Sequence, residues 1–196
     1  VFHGFVGGSS YVEDEIGNPK QAELSREFLR AAAEVKLAEK VTDDGTLELI
    51  VDVHNVGAGH KIPTGTTYIS IMWLQVEVKD SAGKLVYSSG HIDDKNHVDS
   101  NAVFFRLLFR DADGNLTGKS WQAHGIGYDR RIPAKGMDRE VYRIPLPGKG
   151  DYQVTSRLMY RSMTQNSLDV ITERTGEVLP PVVSVEMAAA RTNVKF

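Results

Sequence analysis

No cysteine occurs in the 196 residues of this chain. That absence removes disulfides, thiolate metal sites, cysteine nucleophiles and thioether attachment of a cofactor together. Anything bound here must be held by His, carboxylate, Met or backbone. Long apolar runs are missing too: the longest, around Ile69 to Leu74, is interrupted by Ser70 and falls far short of the about 20 residues a spanning helix needs. No membrane span is expected. A formal net charge of −3, with Arg130-Arg131 as the only adjacent basic pair, leaves no polybasic patch, so neither nucleic acid nor an anionic membrane surface is expected as a partner. There is no nucleophile elbow, zincin helix or phosphate loop, and the glycines from Gly4 to Gly8 neither follow a strand nor open a helix. Nucleophilic catalysis by this chain alone is not expected. An initiator methionine and a signal-peptide pattern are absent at Val1, which reads as a mature form or an excised fragment.

What remains is the composition of an ordinary soluble globular protein, with 41% hydrophobic and 25% charged residues. The length suits one principal domain. Residues 1 to 12 mix aromatics with glycines and carry no period, so they read as an extended arm. From Pro19 to Ala33 apolar residues recur at spacings of three and four behind Asn18 as N-cap, which predicts the one helix. After it the period changes to two. Leu47, Leu49, Val51 and Val53 make an apolar face, Asp43-Asp44-Gly45 makes the preceding turn, and Tyr68 to Lys79 is a long strand whose first half is apolar on both sides. Strand-like segments follow at Lys84 to Ser88, Ala102 to Arg110, Arg139 to Ile144, Tyr152 to Arg161 and Val182 to Met187. The expected fold is mainly β: an antiparallel β-sandwich, immunoglobulin-like or jelly-roll-like, over residues 33–196, led by an N-terminal arm and helix over residues 1–32.

The densest backbone punctuation lies between Asp52 and Gly65, where two of the six histidines, three glycines and Pro63 follow a strand. Glycine and proline shape such a loop, and a shaped loop can hold an imidazole in one orientation. His60, between Gly59 and the Pro63 turn, is the stronger ligand candidate; His54 reads as a strand-end residue or as a metal ligand. His91, Asp93, Asp94, His97 and Asp99 form a polar loop that is either solvated or metal-binding through mixed N and O ligands. Asp111, Asp113 and Asn115 resemble the start of a calcium loop, but Leu116 stands where glycine is needed and Gln122 where a bidentate Glu is needed, so an Asp-Gly turn is the competing reading. Among aromatics, Arg130 or Arg131 is read as a structural partner of an acid rather than as a ligand clamp, and the Arg157-to-Arg161 segment as placing Arg and Tyr around a buried carboxylate or at an interface.

Taken together, several segments resemble the C-terminal, haem-free region of bacterial multihaem c-type cytochromes. They are His3-Gly-Phe-Val-Gly-Gly8, Asn55-Val-Gly-Ala-Gly-His-Lys-Ile-Pro-Thr-Gly65, the Trp73 strand ending in Asp80-Ser-Ala-Gly83, Asp129-Arg-Arg-Ile-Pro133, and Arg157-Leu-Met-Tyr-Arg161 followed by Leu179-Pro-Pro181. The resemblance implies a module that packs on an upstream haem-bearing domain of the same protein, in the periplasm or at the cell surface. It implies that His3, and next to it His60, supplies the second axial ligand of a haem c bound by that domain. The chain departs from the family in having no CxxCH motif, so no haem is expected in this chain alone. Redox proteins are further expected partners of the full-length protein. Two readings of other classes stand beside this one: a sandwich module that binds a sugar, peptide or protein, and a copper or zinc site built from His54, His60 and one of His91, His97 or His124.

Overall fold

The alternation that runs from Leu47 to Val53 sets the architecture, because it gives one strand a fully apolar face that needs a second sheet to cover it. In a computed structural model, which describes residues 6–66 and 69–196, that cover is supplied by the strands predicted downstream. The elements run α1 (Ser10–Glu15), α2 (Pro19–Arg30), β1 (Ala33–Val41), β2 (Thr46–Asn55), β3 (Ile71–Asp80), β4 (Leu85–Ser89), β5 (Phe104–Phe105), β6 (Leu107–Arg110), β7 (Leu116–Thr117), β8 (Gly125–Asp129), β9 (Met137–Pro145), β10 (Asp151–Arg161), α3 (Gln165–Thr175) and β11 (Val185–Lys195). A single 3-10 turn, Ser120–Gln122, sits before β8.

Three antiparallel sheets result. One has the order β1-β2-β9, a second the order β11-β10-β3-β4 with β5 also paired to β3, and a small third the order β7-β6-β8. The first two face each other. Leu47, Leu49, Val51 and Val53 are wholly buried on one side and meet Leu74, Val76, Val78, Val154 and Leu158, equally buried, on the other, all within one hydrophobic cluster. Helix α2 joins that cluster through Leu29, which seals one end. The mainly β, sandwich-like class is as the periodicity predicts.

The helices differ from expectation in number. Residues 10–15 are helical rather than extended, and Gln165–Thr175 forms a further helix. Both evade the 3.6-residue test for the same reason: α1 buries only Ser10 and Tyr11, and α3 only Gln165 and Leu168, so neither has a wide apolar stripe. The termini of α3 are nonetheless written in the sequence. Thr164 caps it by accepting from the Ser167 N–H at 3.1 Å, and Gly176 ends it at φ 73°, a conformation glycine takes without steric cost. Tyr11, Leu168 and Val182 pack together as a small second core, and the Tyr11 hydroxyl donates to the Pro180 carbonyl at 2.7 Å. None of the helices among the described residues is long and apolar enough to cross a membrane.

The strand that begins after the punctuated loop starts at Ile71, where the sequence predicts Tyr68, and its first four residues are buried on both faces. One face belongs to the sandwich core. The other is roofed at the Ile71 end by residues 90–101, α3 and the segment before β11, with Trp73 donating its indole N–H to the Gly90 carbonyl at 3.0 Å. The sheet therefore has two inhabited sides at this end.

Candidate functional site

The loop after β2 is held by the last residue of that strand. Asn55 is 1% exposed, and its side-chain amide donates to the carbonyls of His60 (2.8 Å) and Ile132 (3.2 Å) while its oxygen accepts from the Ala58 N–H (3.1 Å). An asparagine can satisfy donors and acceptors at once, which is why it can replace the missing ladder where a strand turns away. Ile62 then pairs with Ile132 through two backbone bonds of 2.9 Å, immediately before the cis Ile62-Pro63 bond. At the other side of the loop the N–H groups of Val56 and Gly57 both donate to the Ala32 carbonyl. A Cβ on Gly57 would lie 2.1 Å from the Ala31 carbonyl oxygen, so only glycine allows this approach, whereas Gly59 has open space around it.

This scaffold displays His60. The imidazole is exposed, and its Nδ1 lies 3.1 Å from the carbonyl oxygen of Lys61. A carbonyl can only accept, so the neutral ring carries its proton on Nδ1 and leaves the Nε2 lone pair outward. That is the ring state a metal or haem iron takes as a ligand. Beneath the ring is a cavity of about 70 Å³ lined by Phe28, Leu29, Ala58, Pro63, Met72 and Tyr160 among others. Burial pushes the Tyr160 hydroxyl up to about 12. The cavity is far too small to enclose a haem.

The neighbouring charges are tied down. Lys61 Nζ reaches Asp129 at 3.1 Å, and Arg131 grips the same carboxylate through two bonds of 2.7 and 2.8 Å. The Arg131 bonds, with Lys61 second, hold the Asp129 carboxyl well below the usual carboxylate range. Arg130 is paired with both Asp138 (2.7 Å) and Glu140 (2.8 Å); burial works against its charge, but the two carboxylates together overcome it and raise its pKa. These arginines are structural partners of acids, as the sequence suggests.

The other predicted ligands are dispersed. His3 lies outside the described residues. His54 sits near the end of β2, as a strand-end residue, opposite Glu34 and in the last pair with β9 opposite Met137. His91 Nδ1 is 3.8 Å from Asp99, and His97 Nε2 is 2.7 Å from Asp169 on α3. His124 is exposed and bonds Arg110 through its backbone N–H. Among the described residues no three His, Cys, Asp or Glu side chains come together to hold a metal ion. The Asp111 carboxylate is spent on its own turn, accepting from the N–H groups of Asp113 (3.0 Å) and Asn115 (2.8 Å).

The residues whose roles sequence reasoning misses are the ones that build this geometry: Asn55, Gly57 and, on the other side of the sheet, Asn96 and Arg161. The only signal for Asn55 is an amide placed at the end of an apolar alternation, a position where a strand residue would be expected to stay apolar.

Neither a family model nor a curated protein matches the chain. Solved structures do. A penta-haem cytochrome c552 from Thermochromatium tepidum superposes with a TM-score of 0.66 at 19% identity, over 86% of this chain and 41% of that one. The chain thus spans less than half of the cytochrome, and at this identity the likeness shows a shared fold. The CARDB domain of a Pyrococcus furiosus protein, crystallised with two metal ions, matches at a TM-score of 0.36 and 14% identity over 84% of this chain and 89% of that one. That level carries no argument about the site.

Proposed function

We propose that this chain is the haem-free module of a multihaem c-type cytochrome, lending an axial histidine and a docking surface to haems bound by an upstream domain of the same protein. The observation that carries the reading is His60: a pinned, exposed imidazole with Nε2 uncommitted, in a fold shared with part of a penta-haem cytochrome. The chain's lack of cysteine agrees with haem attachment elsewhere. When ligated by a second histidine, haem iron supplies one-electron transfer without an open coordination position. This chain's own residues then have three tasks. Asn55 and the Ile62–Ile132 pairing fix the position of the ring, the Lys61 carbonyl fixes its tautomer, and Phe28 and Pro63 line the apolar cavity beside it. His3 is the second candidate ligand, and redox proteins are the outside partners. Such a module works in the periplasm or at the cell surface.

The test uses the segment expressed together with its native upstream region. His60→Ala is expected to convert one low-spin haem to a high-spin spectrum, and His60→Met to keep it low-spin while shifting its potential upward, since methionine ligation raises haem potentials. The same substitutions at His3 give the comparison. Spectra and potentials unchanged by both sets would remove the ligand reading.

A further inference from the structure

The outer face of the β3–β10 pair buries a positive charge with no ion pair to an acid among the described residues. Arg161 is 1% exposed, and its bonds go to neutral groups: Ser184 Oγ at 2.8 Å, the Asn96 carbonyl at 2.6 Å and Asn96 Oδ1 at 2.7 Å. Its guanidinium carbon stands 5.6 Å from the centre of the Trp73 ring. Burying a charge without a counter-charge is costly, and here desolvation pushes the Arg161 pKa down to about 10. Arg130, by contrast, reaches two carboxylates in the same molecule. A guanidinium has five N–H donors, and these three bonds leave two for something else.

Beside Arg161 opens a cavity of about 260 Å³. Its polar wall is Arg161, Arg106, Thr164 and Asn166, its apolar wall includes Ile71 and Phe104, and none of its lining side chains is Asp or Glu. Thr164 is the N-cap of the eleven-residue α3, so the positive end of that helix faces the same space. Two guanidiniums and a helix N-terminus make an anion site, and guanidinium geometry matches a carboxylate bidentately. The apolar wall adds that the anion carries carbon. The volume agrees: it is several times that of a water molecule, at roughly 30 Å³ each, yet below the usual range for drug-sized ligands.

We propose that this cavity binds a small organic carboxylate, its charged end held between Arg161 and Arg106 and its carbon skeleton against Ile71 and Phe104. The site is independent of the haem reading. Met72 and Tyr160 line the His60 cavity, while their neighbours Ile71 and Arg161 line this one, and successive side chains of a strand point to opposite faces of the sheet.

Titration of the full chain with succinate, followed by the backbone amide signals of Gln165 and Asn166 at constant ionic strength, is expected to saturate; inorganic phosphate is expected to give a weaker response. Asn166→Asp places a carboxylate on the exposed rim, in a helix first turn that favours it, and Arg106→Gln removes one guanidinium. Each is expected to weaken succinate binding about tenfold or more while the fold is kept. The absence of saturation, or saturation that both variants retain, overturns the site. A phosphate response as strong as that of succinate overturns the assignment to an organic carboxylate.

Discussion

Two of this protein's histidine-bearing loops are fastened by an asparagine, yet they leave their rings in opposite states. In the loop after β2, Asn55 takes up the His60 and Ile132 carbonyls, and the ring of His60 spends only Nδ1 on a backbone oxygen. In the loop after β4, Asn96 stands at φ 65°, donates to Gln165 and to the Val182 carbonyl, and receives Arg161; the adjacent His97 spends Nε2 on Asp169. The first loop leaves a ring nitrogen uncommitted, and the second spends one to tie down a helix. Spacing and glycine content do not separate the two, because what decides is the partner each ring nitrogen finds.

The largest expected effect lies in the staples themselves. Asn55→Ala leaves two carbonyls and one N–H without their partner in a nearly solvent-free place, and should cost about 3 kcal/mol in denaturant unfolding. Asn96→Ala removes the bonds to Gln165, Val182 and Arg161 at a half-buried site and should cost about 2 kcal/mol. If Asn96→Ala proved the more damaging, the roof over Trp73, rather than the His60 loop, would be the keystone of this end of the sheet. A sharper contrast sits within the first loop. Gly57→Ala drives a Cβ into the Ala31 carbonyl and should cost about 2 kcal/mol, with the position of His60 disturbed, whereas Gly59→Ala should stay within about 0.5 kcal/mol. On the proposed haem-ligand reading, only the former should broaden or shift a haem spectrum when the segment is expressed with its upstream region.

Charge provides a pH version of the same contrast. The Asp129 carboxyl, held low by Arg131 and Lys61 beside the His60 loop, binds fewer protons folded than unfolded. Its contribution is complete above the ordinary carboxylate pKa of about 3.8 and is lost as pH falls from there through the folded value. Asp129→Asn should therefore flatten the acid limb of the stability curve below about pH 4, measured by urea unfolding at a series of pH values.

The period-two alternation from Leu47 to Val53 and the double-faced apolar start of the Trp73 strand made the sandwich legible, since burial on a known face follows directly from side-chain direction. The helix at Pro19 was legible for the same reason. Tyr11 and Leu168 were not, because one buried apolar residue per helix produces no period. At the candidate site, glycine and proline marked the shaped loop that carries His60, since their backbone limits are local. The roles of Asn55 and Arg161 were not legible: they depend on Ile132, Asn96 and Ser184, which lie far away in sequence. The Arg130 pairing with Asp138 and Glu140 could be anticipated as arginine beside acid, but the acid-free burial of Arg161 went against that rule and marks the second cavity.

The smallest effect tests whether His97 is a staple in its own right or a passenger on Asn96. Its ring bonds a carboxylate that is nearly half exposed, and exposed pairs of this kind contribute at most about 1 kcal/mol. The low pKa of Asp169 owes more to the amide of Gln165 than to His97. Removing the imidazole should therefore leave the carboxyl below its ordinary value. The stability that Asp169 contributes above about pH 3.8, and loses as pH falls through its folded pKa, should shrink only slightly in His97→Ala and more in Gln165→Leu. Carboxyl titration of Asp169 by carbon NMR in the two variants makes the distinction. An equal rise in both would make His97 a full partner in fastening α3, and would narrow the difference between the two loops to which ring nitrogen is occupied.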